Sequence, residues 1–173
     1  MPLDIDTGLD PNETQDMRAK RERTIASSPK PEFFKLRAQL LDQGRDQHVV
    51  AKTDNMEVCV KVYASGGENG LHNHTDEDLF HLVLAGKARF YGPRGEEHDC
   101  GMYEGIMLPA GSFYRFHAVS DEPLVLLRVG CDVATDDTVT RNNIYGDPIP
   151  GKSKANGEVT IVKRDGEFWG AAE

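Results

Sequence analysis

The sequence predicts an all-β protein with one short helix ahead of its strands. Three observations carry that reading. A chain of 173 residues fits one domain and can bury a core of useful size. Its 17 glycines and 9 prolines call for many turns. From about residue 48 onward, roughly eight short β-rich runs follow one another between turn signals, which suits a sandwich or barrel better than a βαβ arrangement.

The elements follow in chain order. Residues 1–30 are polar and without a sustained period, so they read as a loosely structured arm. The basic cluster "RAKRER" at 18–23 is flanked by acids and reads as a solvated face. The barrel domain is expected over 31–173. It opens with "SSPKPEFFKLRAQLLDQG", where Phe33, Leu36, Leu40 and Leu41 share a helical spacing. Prolines precede them and Gly44 can stop the helix, so the single helix is placed here. "HVVAKTDNMEVCVKVYASGG" holds short strands around turns, and "KARFYGPRGEEHDC" reads as strand, Gly-Pro-x-Gly turn, strand. "GIMLPAGSFYRFHAV" and "PLVLLRVGCDV" add further strands. The tail "NGEVTIVKRDGEFWG" places Asn-Gly and Asp-Gly turns around one more.

Charge and cysteine usage narrow the function. A formal charge of -9 repels phosphates, which argues against nucleic acid and anionic membranes as partners. No run is apolar enough for a signal peptide or a membrane span. Cys59, Cys100 and Cys131 are odd in number and widely spaced, as expected of reduced thiols in a cytoplasmic protein.

The chemistry concentrates in "GENGLHNHTDEDLFHLVLAG", residues 67–86. On a strand, residues two apart point the same way about 6–7 Å from each other, so His72 and His74 can converge on one metal ion. His48, His98 and His117 lie outside this cluster and read as surface or turn residues.

Here the pattern resembles the cupin superfamily of small jelly-roll β-barrels, over roughly residues 55–130. The family's first motif has the form G-x5-H-x-H-x(3,4)-E-x6-G, and Gly66, His72, His74 and Gly86 stand at matching intervals. The second motif, G-x5-P-x-G-x2-H-x3-N, is echoed by Pro109, Ala110 and Gly111. The resemblance implies a cupin-type double-stranded β-helix, a homodimer, and a divalent transition metal in the barrel.

The departures bear on chemistry. Leu79 falls where the family's glutamate ligand would stand, Tyr114 where its histidine would, Ala118 in place of its asparagine and Tyr103 in place of the opening glycine. Strand parity leaves two substitutes for the missing carboxylate. If Leu79 points inward so does His81; if a bulge brings Asp78 inward, His81 turns out. The gapless spacing favours His81, the family's chemistry Asp78.

The expected metal set is therefore His72, His74 and His81, with Asp78 as the alternative third ligand, for Fe, Ni, Cu, Mn or Zn. Tyr114 is the expected catalytic proton donor or substrate clamp. It could also bind metal as phenolate, or hydrogen-bond a ligand from the wall. Tyr114, Phe116 and Val83 are the expected substrate contacts, which suits a small, partly apolar molecule. The expected function is a metal-dependent cupin of oxygenase or isomerase type; the alternative is a metal-free, non-enzymatic binding module.

Overall fold

The computed structural model describes residues 5, 7–132, 141–150 and 154–172. Residues 1–4 and 6 of the arm and Val133, at the end of an expected strand, lie outside these. The chain forms two compact units, Met1–Phe33 and Phe34–Glu173.

The first unit holds helix α1, Gln15–Ser27. Its signals are polar. The Thr14 hydroxyl caps it by accepting the Met17 N–H at 3.3 Å. Glu13 pairs with Arg21 at 2.7 Å and with Arg18 at 3.5 Å. Ser28 donates its N–H to Ile25 O, and Pro29 bars continuation. None of its residues is buried.

Among its described residues, the regular elements of the second unit are strands apart from one 3-10 turn, Lys154–Asn156. Its strands are β1 Arg37–Gln43, β2 Arg45–Lys52, β3 Met56–Tyr63, β4 Asn73–His74, β5 Glu77–Ala85 and β6 Ala88–Tyr91. Then come β7 Glu97–Cys100, β8 Gly105–Leu108, β9 Arg115–Ala118, β10 Leu124–Asp132, β11 Arg141–Asn142 and β12 Val162–Gly170. A five-stranded sheet runs β2-β3-β10-β5-β8 and a three-stranded one β7-β6-β9, while β1 pairs with β12 and β4 with β11. Every one of these pairings is antiparallel.

Alternation gives the large sheet two buried faces. From β3 and β10, Val60, Val62 and Val125 enter one core with Ala38 and Leu41 of β1. Tyr63, Leu124 and Leu126 enter the other, with Leu79, Val83, Phe90 and Phe116. The Gly-Pro-x-Gly turn between β6 and β7 forms as expected, with the Gly92 N–H donating to Glu96 O at 2.9 Å. Gly105 is required where it stands, because a Cβ there would collide with the His81 carbonyl and force β8 off β5.

The helix is thus displaced from where the sequence pattern puts it. Residues 37–43 are strand, and the helix lies in the arm expected to be loose. β1 meets β12 with irregularities between Gln39 and Leu41 and between Leu41 and Gln43. Irregular pairing lets Leu36, Ala38, Leu40 and Leu41 all reach one core, and that spacing imitates a helical face. α1 gives no such signal because it buries no face.

Tyr103, at the position of the motif's glycine, keeps the backbone that glycine adopts freely, with φ 69°. Its amide still donates to Val83 O at 2.8 Å, and its side chain is exposed.

Two outcomes follow for denaturant unfolding. Tyr103→Gly stabilises the protein by roughly 0.5–1 kcal/mol, relief of strain exceeding the added flexibility of the unfolded chain. Leu41→Ala, in a fully buried strand residue, costs about 2–5 kcal/mol.

Candidate functional site

The site is built by the inward parity of four strands. Register sets Arg45 of β2 opposite Tyr63 of β3, Gln47 opposite Lys61, and Cys59 opposite Arg128 of β10. Arg128 in turn faces His81 of β5. Across the barrel, His72 and Tyr114 form a two-way backbone bridge, at 3.1 Å and 2.9 Å. His74 of β4 pairs with Arg141 of β11. Between these walls lies a cavity of about 640 Å³.

His72, His74 and Tyr114 come together as expected. The imidazoles stand 5.3 Å apart by ring centroid, and Tyr114 lies 4.7 Å from His72 and 6.4 Å from His74. The Nδ1–H of His72 donates to Gly70 O at 2.7 Å, which leaves Nε2 as the lone-pair nitrogen. Burial, then the Arg141 charge, pushes His72 down to about 3. Burial, then His72, does the same to His74. Both imidazoles are neutral near pH 7. Burial pushes the Tyr114 phenol up, so without a bound cation it stays protonated near neutral pH.

Strand parity resolves as the gapless spacing implied. His81 points in and is buried, whereas Asp78 points out, exposed, and accepts the Ala110 N–H at 2.7 Å. Yet His81 does not line the cavity. It lies among Tyr114, Phe116 and Phe90, at 5.7, 5.7 and 6.3 Å, and neither ring nitrogen has a hydrogen-bond partner among the described residues. Phe116 reaches the cavity, but Val83 packs in the core beneath it. His48 and His98 are exposed on strands, and the His117 ring lies tilted against Tyr91 at 5.0 Å.

The residues that sequence reasoning missed are charged. Arg128, buried within β10, donates from Nη2 to both carboxylate oxygens of Glu77, with Glu57 at 3.6 Å. Glu77 also stands 3.4 Å from His74 Nδ1. A Cβ on Gly130 would collide with Glu77 Oε1, so glycine there gives the carboxylate its room. Lys61 and Arg141 also line the cavity. Arg141 donates to Asn156 Oδ1 at 2.9 Å, while its buried Nε has no partner among the described residues. A signal for Arg128 did exist: it is the lone charge in "PLVLLRVG", and a charge in a central strand must be paired or face a cavity.

These donors do not fit a protein-held transition metal. Among the described residues, no three His, Cys, Asp or Glu side chains are grouped to hold one. The nearby carboxylate, Glu77, is committed to Arg128, and His81 lies off the cavity wall.

Two consequences are measurable. Breaking the buried pair by Glu77→Gln lowers unfolding free energy by about 3–5 kcal/mol, because Arg128 is left uncompensated. The two imidazoles titrate lower in the folded than in the unfolded chain, so their contribution is complete above about pH 6.5 and is lost as pH falls towards about 3. His72→Asn flattens the fall in stability across that window, measured by unfolding at a series of pH values.

Residues 59–130 match the family model described as a cupin domain. Among solved structures the chain is similar to a cupin superfamily protein from Desulfitobacterium hafniense, at 16% identity and TM-score 0.47, covering 55% of this chain and 84% of that one. It is similar to an RmlC-like cupin from Desulfovibrio desulfuricans at 20% identity and TM-score 0.48, covering 54% and 88%. KdgF from Halomonas sp. shares 18% identity at TM-score 0.46, covering 51% and 81%. A search of curated proteins gave no match. No helix among the described residues is long and apolar enough to cross a membrane. The histidine pair and its bridge to Tyr114 lie within residues 59–130, the stretch that matches the cupin domain.

Proposed function

We propose that the protein binds a small carboxylate-bearing molecule in its barrel, held by arginine, lysine and imidazole groups instead of by a protein-bound metal ion. One observation carries this reading: Lys61 and Arg141 line the cavity with no carboxylate partner among the described residues. Three of the acids beside them are engaged, Glu77 by Arg128, Glu57 by Lys52 and Arg128, and Asp46 by Lys163. A carboxylate entering the cavity would supply the missing counter-charge and accept charge-assisted hydrogen bonds.

The remaining wall suits the rest of such a molecule. Tyr63, Tyr114 and Phe116 offer apolar faces to a short body. The protonated Tyr114 hydroxyl can donate, and the lone pair of His72 Nε2 can accept. The expectation of a partly apolar ligand is kept, with an anionic head added to it.

Titration calorimetry with glycolate is expected to show binding that weakens about tenfold or more in Arg141→Met, as loss of a charge-assisted contact predicts. Elemental analysis of protein purified without added metal is expected to find far less than one ion per chain, unchanged by His72→Ala. Stoichiometric metal that His72→Ala removes would overturn this reading and restore a metal-dependent oxygenase or isomerase.

A further inference from the structure

We infer that Lys61 is a covalent site, whose amine condenses with the carbonyl of a small oxo acid to form a Schiff base within the barrel. The inference rests on reading the cavity as an anion site and names the ligand class that site takes.

The argument begins with placement. Lys61 sits in the middle of β3, paired with Gln47 on one side and Leu126 on the other, and its inward parity makes it part of the cavity wall. A lysine there costs free energy unless a carboxylate compensates it. None does so among the described residues. Glu77, the acid that acts on it most, is bonded to Arg128. Packing gives no reason for an amine at this position, since the alternate residues Val60 and Val62 build the core on the other face.

Its surroundings give it chemistry. The charged and titratable groups that act on the amine are Arg128 of β10, Arg141 of β11, Cys59 of β3 and Glu77 of β5, with the neutral imidazoles of His72, His74 and His81 also coupled to it. Burial, then the Arg128 and Arg141 charges, pushes the Lys61 ammonium down to about 7, against Glu77 and Cys59, which act the other way. Much of it is therefore free amine at neutral pH, the form that attacks a carbonyl. The cations that depress it are also able to hold the carboxylate of the attacked molecule.

The step balances without an oxidant or reductant. The Lys61 nitrogen adds to the carbonyl carbon, and its proton passes to the former carbonyl oxygen, giving a carbinolamine. That oxygen leaves as water while the carbon–nitrogen double bond forms; hydrolysis reverses both steps. The neutral imidazoles of His72 and His74 are competent to carry the proton.

The test uses the full-length protein, glyoxylate as the smallest oxo acid, and cyanoborohydride to trap the imine. Peptide mass mapping follows labelling from about pH 6 to about pH 9. Lys61 is expected to become carboxymethylated at least about tenfold faster at pH 7 than exposed Lys30, with a rate that rises through about pH 7. Lys61→Arg, which keeps the charge and is checked for folding by thermal unfolding, loses that label. Labelling of Lys61 no faster than of Lys30 overturns the inference. Glycolate, which has the carboxylate but no carbonyl, separates the two readings. Glycolate binding without rapid Lys61 labelling leaves the anion site standing and removes the Schiff base. Rapid labelling without glycolate binding retains the nucleophile and overturns the anion site.

Discussion

The ion pair between Arg128 and Glu77 is the constraint on which the interior of this barrel depends. β10 is the middle strand of the large sheet, flanked by β3 and β5, and the guanidinium there is almost wholly buried. It is tolerable only because Glu77, at the start of β5, delivers both carboxylate oxygens to it. That commitment reaches further. Gly130 is needed to clear space for the carboxylate, and His74 is held beside it. Glu77 is then no longer free to neutralise Lys61 or Arg141, which line the same cavity.

Much of this domain was legible because β periodicity is strict. His72, His74 and Gly86 sit at intervals that one barrel geometry explains, and alternation along β5 limited the inward choice to His81 or Asp78, of which the gapless spacing favoured His81, the one that turns in. Tyr103 shows why the second motif survives an altered sequence. The turn demands a left-handed backbone, and a tyrosine under strain can still supply it.

What escaped has physical causes. β1 read as helix because irregular pairing with β12 let neighbouring leucines reach one core, and β12 lies more than a hundred residues away in sequence. α1 was passed over because caps and ion pairs, not a buried face, specify it. The charged site was hidden because its members meet only through the fold: Glu77 and Arg128 are 51 residues apart, Arg45 and Asn156 are 111 apart. Single-strand patterns report which face a side chain takes, not which charges share it.

The electrostatics also decide how far the family's usual ion could be accommodated. Protonation is no obstacle, since His72 and His74 are neutral and His72 keeps a lone pair on Nε2. Charge is the obstacle. Transition-metal sites of two imidazoles ordinarily gain a carboxylate that offsets the ion, and here that carboxylate already serves a guanidinium. A divalent ion would share the cavity with the Arg141 guanidinium, which has no carboxylate partner among the described residues, a repulsion on the order of a few kcal/mol at close range and intermediate dielectric. An anionic ligand meets the same field with the opposite sign. Leu79, at the position of the motif's glutamate, and Arg128, which claims Glu77, therefore act in the same direction: both leave the imidazole pair without a carboxylate committed to it.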